Sequence, residues 1–81
     1  MGEMEYSYTV LFEPAEEGGF TVTCPALPGL VTEGDTLEEA RAMAADAIRG
    51  YIESLHRDHL PIPTDKMPMK EEVRVLVPEV A

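Results

Sequence analysis

Short stretches of this chain alternate apolar and polar residues, and one longer stretch repeats apolar residues every three or four positions. The alternation over about residues 5–13, 19–24 and 30–34 predicts three β-strands, and a fourth alternating stretch covers about residues 71–77. The longer repeat predicts a helix over about residues 36–59, with one apolar stripe. The predicted order of elements is therefore β-β-β-α-β.

Glycine, proline and threonine mark where these elements begin and end. Gly18 and Gly19 supply the turn of an antiparallel hairpin between the first two strands. Pro25 ends the second strand because proline cannot donate to a strand ladder. Thr36 and Glu39 have the spacing of a capping box at the start of the helix.

One helix of this length covers one face of a four-stranded sheet, which predicts an α+β fold built as a two-layer sandwich. A right-handed crossover would place the fourth strand parallel to the first, in the sheet order 3-2-1-4. The length of 81 residues predicts a single domain over residues 1–81.

The sheet face away from the helix is predicted to be half polar. It would carry Ser7, Thr9, Thr21 and Thr23 together with two apolar residues, Leu11 and Leu76. This pattern fits either a face open to solvent or a surface for self-association.

The charge of the chain narrows the choice of partners. There are 16 acidic and 6 basic residues, a net charge of -10, and no lysine or arginine in the first 40 residues. Such a surface repels phosphate, which argues against direct nucleic-acid binding, and it either attracts basic partners or keeps the protein soluble.

A single cysteine cannot form an intrachain disulfide, and no apolar run is long enough to span a membrane. We expect a cytoplasmic protein.

The residues that could carry chemistry do not form an active-site pattern. His56 and His59 share a helical face, but the spacing places no third strong metal ligand beside them. Cys24 alternates inward with apolar residues and is expected to be a small buried side chain. Carboxylates near strand ends, such as Glu13 and Glu33, are expected to be solvated. The sequence therefore predicts no catalytic residue, no metal site and no cofactor.

A set of short motifs resembles the HicB antitoxin family. The motifs are an alternating strand over residues 8–12, a Gly-Gly-aromatic hairpin, a Pro-x-Leu-Pro-Gly turn, a Gly-Asp-Thr helix start followed by Glu-Ala, and a late Ile-Pro at residues 62–63. The motif residues expected to have structural roles are Gly18, Gly19, Phe20, Pro25, Leu27, Pro28, Gly29, Gly34, Asp35, Thr36, Glu39 and Ala40.

The resemblance implies a partial ribonuclease-H-like fold without the catalytic acids of that fold, and a non-enzymatic role in a toxin–antitoxin pair. It implies as partner a small basic ribonuclease toxin of the HicA type, which cuts mRNA, and assembly as a homodimer or homotetramer. Members usually continue into a C-terminal DNA-binding segment that this sequence does not show, so operator binding is not carried over. The expected toxin-binding residues are the acids of the first half, namely Glu13, Glu16, Glu17, Glu33, Asp35, Glu38 and Glu39.

Two other hypotheses remain open at this point. The chain could be an orphan structural or oligomerising domain without a toxin, using the Leu11 and Leu76 face or an exposed strand edge. It could also be a nuclease that holds a metal ion with the carboxylates of Glu13, Glu33 and Asp35.

Overall fold

A computed structural model of the chain describes residues 2–79 and shows an α+β arrangement of three strands and one helix. The strands are β1 (Leu11–Pro14), β2 (Phe20–Thr23) and β3 (Val31–Gly34), and the helix is α1 (Leu37–Arg57). The sequence-predicted domain, residues 1–81, extends beyond the described part of the chain at residues 1, 80 and 81.

The three strands form an antiparallel sheet in the order β1-β2-β3. Phe12 lies opposite Val22, and Val22 lies opposite Thr32, so these three residues form one row across the sheet. The observed order agrees with the 3-2-1 part of the predicted sheet.

The first strand is shorter than its alternating pattern. Residues 5–10 precede β1 without pairing, because β2 ends at Thr23 and Pro25 follows two residues later. The side chains of Tyr8 and Val10 nevertheless pack against the core, as the alternation predicts.

The predicted fourth strand does not form in the single chain. Residues 71–77 have no secondary structure, and Val73, Val75, Leu76 and Val77 are all exposed. The alternation is present, but among the described residues no neighbouring strand or helix covers its apolar side.

Helix α1 packs against β3 and β2 with the apolar stripe that the sequence predicts. Its small residues Ala40 and Ala44 lie against Val22, where the helix and sheet approach closely. Further along the helix, Ile52 packs with Cys24 and Leu27 in a second cluster of larger side chains. The core therefore lies on one face of the sheet.

The helix ends at Arg57, ahead of Pro61, through its own backbone. His59 adopts a left-handed conformation with φ 57°, and its N–H donates to the carbonyl of His56. The Leu60 N–H donates to the Leu55 carbonyl at 2.9 Å. These two bonds are those of a Schellman motif, so the helix ends through this motif and not through a clash with the ring of Pro61.

Candidate partner-binding site

The hairpin turn between β1 and β2 lies next to the end of β3. Gly18 and Gly19 have φ values of 101° and 77°, which L side chains rarely adopt. A Cβ on Gly19 would also lie 2.6 Å from the carbonyl oxygen of Gly34. The two glycines therefore allow the turn to form, and Gly19 also allows it to pack closely against Gly34.

The start of the helix lies at the same end of the molecule. A Cβ on Gly34 would lie 2.5 Å from the backbone nitrogen of Ala40. Thr36 caps the helix, its hydroxyl accepting from the Glu39 N–H at 3.0 Å. A capping box consists of two bonds, and this one is present. The reciprocal bond, from the Thr36 N–H to the Glu39 side chain, is not formed among the described residues. Glu38 and Glu39 are thereby held beside the end of β3.

These contacts gather all seven sequence-predicted acidic residues at one end of the molecule. Glu13 and Glu33 lie in one row across the sheet, each opposite Thr21 of the central strand. The others occupy the turn, the β3–α1 junction and the first helical turn, and all seven are exposed: Glu13, Glu16, Glu17, Glu33, Asp35, Glu38 and Glu39.

A shallow concavity of about 400 Å³ opens within this acidic end. Its floor includes Gly18 and Gly19, and its acidic lining residues are Glu17, Glu33 and Asp35. No lysine or arginine occurs among residues 1–40, so no cation from this part of the chain neutralises these carboxylates. The arrangement produces a negative surface that is open to a basic partner.

An apolar row borders the acidic one on the open face of the sheet. Leu11, Thr23 and Val31 lie opposite one another, and Val31 is 65% exposed. The sequence predicts Leu11 on this face together with Leu76. The structure has Val31 there instead, while Leu76 lies outside the sheet. An apolar row beside carboxylates resembles the mixed character of protein-binding surfaces.

The remaining family-motif residues shape the turn between β2 and β3 or fill the core. Leu27 is fully buried, and Gly29 has a φ of 86° in the turn that follows. The Pro28 carbonyl accepts from the Tyr51 hydroxyl at 2.9 Å, which ties the turn to the helix. Phe20 packs beside Val22 in the core.

One anchoring site is not predicted by any pattern in the sequence. The Thr9 N–H and hydroxyl donate to the two carboxylate oxygens of Asp65 at 2.7 and 2.8 Å. The Tyr8 hydroxyl donates to the Pro63 carbonyl at 2.6 Å. These bonds fasten residues 63–65 to the chain before β1. The late Ile-Pro motif lies close to this position, but no local pattern identifies Asp65.

The two anchors change the acidity of the groups involved. The Thr9 backbone N–H, and then its hydroxyl, lower the pKa of the Asp65 carboxyl. Burial, with a smaller effect of nearby Tyr6, raises the pKa of the Tyr8 hydroxyl. At neutral pH the lowered pKa keeps Asp65 ionised, so that it accepts both bonds from Thr9. The raised pKa keeps the Tyr8 hydroxyl protonated, so that it donates to Pro63.

The cysteine and the histidines lie apart from the acidic end. Cys24 is buried in the core with Leu27 and Leu30. His56 is exposed and lies edge-on to Tyr6, with ring centroids 6.2 Å apart. Within residues 2–79, no three His, Cys, Asp or Glu side chains lie close enough together to hold a metal ion. In the same range, α1 is too polar to cross a membrane.

Comparison with known proteins identifies one family over most of the chain. Residues 8–75 match the family described as the HicB-like antitoxin of bacterial toxin–antitoxin systems.

Individual relatives agree with this match. A UPF0150 protein of Synechocystis is 45% identical over 65 residues, which are 80% of this chain and 82% of that protein. A UPF0150 protein of Thermoplasma acidophilum is 44% identical over 84% of this chain and 94% of its own length. Antitoxin HicB 1 of Photorhabdus laumondii is 46% identical over 69% of this chain, but only 36% of that antitoxin is matched.

Proposed function

This chain belongs to the HicB-like antitoxin family, and we propose that it acts as an antitoxin that binds and neutralises a small, basic toxin of the HicA type, which cleaves mRNA. The observation that carries the proposal is the family match over residues 8–75. Relatives that bear the name Antitoxin HicB support it. Because the match covers less than half of those antitoxins, regulation through DNA binding is not part of the proposal.

The acidic end is the proposed contact surface for the toxin. A toxin that binds RNA presents cations to phosphate, and the seven carboxylates offer the same cations an alternative anionic partner. The neighbouring row of Leu11 and Val31 adds apolar area that a purely electrostatic contact lacks.

We propose that the protein acts by binding and not by catalysis. Glu13 and Glu33 are separated by the whole width of the central strand, a distance of about 9–10 Å. Two glutamate side chains are long enough to bridge this backbone distance, but within residues 2–79 no three His, Cys, Asp or Glu side chains lie close enough together to hold a metal ion, so the geometry gives the metal-nuclease hypothesis no support.

The proposal includes a complete four-stranded, two-layer fold of the partial ribonuclease-H type with sheet order 3-2-1-4. It also includes a homo-oligomer, a dimer or a tetramer, in the cytoplasm. The exposed apolar residues of segment 71–77 support the fourth strand and the homo-oligomer, since nothing among residues 2–79 of the single chain covers them.

The test uses a HicA-type toxin from the same genome and measures both complex formation and mRNA cleavage. We expect a stable complex and loss of cleavage when the two proteins are mixed. Raising the salt concentration should slow association, because screening weakens the attraction between opposite surface charges.

A charge-matched pair of double variants locates the contact surface. Glu13→Gln with Glu33→Gln removes two charges from the acidic end and should weaken binding by about tenfold, which is about 1.4 kcal/mol. Asp46→Asn with Asp58→Asn removes two exposed charges from the middle of the helix and from its C-terminal end, outside both concavities, and should leave affinity within about twofold. Absence of a complex with the unmodified chain would refute the antitoxin role. Equal weakening by both double variants would refute the acidic end as the contact surface.

A further inference from the structure

The segment that the sequence predicts as a fourth strand lies unprotected in solvent. Val73, Val75 and Val77 alternate with Arg74 and Leu76, and the three valines are between 70% and 77% exposed. Exposed apolar residues in an alternating row favour pairing with the edge of a sheet.

Segment 71–77 also makes the chain unusually long. The radius of gyration is 17.2 Å, and the largest dimension is 69 Å. A compact domain of this length has a radius of gyration of about 12 Å. Met67 still contacts the Thr9 hydroxyl through its sulfur, but residues 68–79 are exposed throughout, so this last part of the described chain leaves the folded body instead of completing it.

The edge of β1 is open to receive a strand. The Ala15 N–H donates to the Gly19 carbonyl, so the odd-numbered residues of β1 direct their peptide groups toward β2. Val10 and Phe12, at even positions, direct their peptide groups away from β2, to the side of β1 on which the described residues supply no strand. Pro14 has no N–H to offer at this edge, as is typical of edge strands.

A partly apolar groove of about 820 Å³ lies between residues 2–8 and the helix. Its apolar and aromatic lining residues include Tyr6, Tyr8, Ile48 and Ile52, and it is also lined by the polar residues Glu3, Glu5, Arg49, Glu53 and His56. A strand placed beside residues 6–12 would direct every second side chain toward this groove. The three valines of segment 71–77 have that spacing.

The connection between the folded body and the segment favours projection over return. Asp65 is fixed on Thr9 by two hydrogen bonds, and Pro61, Pro63 and Pro68 stiffen the chain on both sides of it. A stiff connection of this kind directs segment 71–77 toward a neighbouring molecule more readily than it folds the segment back onto β1 of the same chain.

We infer that two copies of this chain exchange their C-terminal segments, so that residues 71–77 of each copy form the fourth strand beside β1 of the other. Each valine row then fills the groove of the partner copy. The exchange is reciprocal and closes as a two-fold dimer, which covers the open β1 edge of each copy. This inference rests on the homo-oligomer proposed above and is independent of the toxin.

The experiment uses the full chain alone, without toxin, so that its outcome is separate from the antitoxin test. Light scattering gives the molecular mass, and isotope-filtered NMR on a mixture of labelled and unlabelled chains detects contacts between different copies. We expect a dimer with cross-copy contacts between residues 71–77 and residues 6–12. A monomer, or a dimer whose cross-copy contacts lie elsewhere, would overturn the inference.

Two neighbouring substitutions provide a matched pair for the same measurement. Val75→Asp places a carboxylate in the groove and should raise the dimer dissociation constant at least about 100-fold. Leu76→Asp places the same group on the opposite, solvent-facing side of the strand and should change it less than about fivefold. Both residues are exposed in the single chain, so neither change disturbs its own core. Equal effects of the two substitutions would contradict the proposed strand orientation.

Discussion

Strand β2 and segment 71–77 have similar sequence patterns and opposite environments. Phe20, Val22 and Cys24 alternate with threonines, and Val22 is completely buried. Val73, Val75 and Val77 alternate in the same way, yet Val75 is 70% exposed. The difference lies in the neighbours, because β2 has a strand on each side and a helix above it. Alternation determines which side chains share a face, while burial depends on what covers that face.

The largest expected effect compares the same substitution in the two environments. Leu27 is 0% exposed and Leu76 is 95% exposed. Leu27→Ala should lower the free energy of unfolding by about 2–5 kcal/mol, because it removes buried methyl groups and leaves a cavity. Leu76→Ala should change it by less than about 0.5 kcal/mol. Urea denaturation at one protein concentration measures both, and similar losses would show that segment 71–77 belongs to the core.

A pair of glycine substitutions tests the close packing that builds the acidic end. A Cβ on Gly34 meets the backbone of Ala40, which cannot move without displacing the helix. Gly34→Ala should therefore cost about 1–3 kcal/mol of stability. Gly50 lies in the helix, and a Cβ added there would have nothing within 4 Å, so Gly50→Ala should stabilise by about 0.5–1 kcal/mol. Thermal unfolding gives both values, and shifts of the same sign would contradict the packing at Gly34.

The smallest expected effect concerns the boundary between the two regions, where Asp65 binds Thr9. The pKa of Asp65 is lowered in the folded chain by the Thr9 N–H and hydroxyl. The attachment should therefore contribute stability above the ordinary carboxyl pKa of about 3.9, and lose it as the pH falls through the lower folded value.

The Thr9 amide chemical shift reports this titration directly. We expect it to change below about pH 4 in the unmodified chain, and to lose that change in Asp65→Asn. Asp46→Asn is the control, because Asp46 bonds to Arg49 on the helix surface, away from Thr9. A titration that persists in Asp65→Asn would show that another group controls the Thr9 amide.

Local chemistry in the sequence was sufficient to predict the hairpin, the turns and the helix start. Gly18 and Gly19 adopt the positive φ values that their turn requires, and Thr36 caps the helix as its spacing to Glu39 predicts. The convergence of the seven acids was less direct. It followed once the hairpin, β3 and the helix start were known to meet at one end, since each acid lies next to one of those junctions.

The sequence by itself determined which residues share a face, where the strands turn and where the helix begins, because these depend on neighbours within about four positions. Only the tertiary structure decided that Asp65 binds Thr9, that Val31 joins Leu11 on the open face, and that segment 71–77 stays outside the sheet of the single chain. Those outcomes join residues from distant parts of the chain, or depend on a surface being left uncovered. An alternating pattern specifies a strand's two sides, but the edge that receives it is a property of the assembled fold.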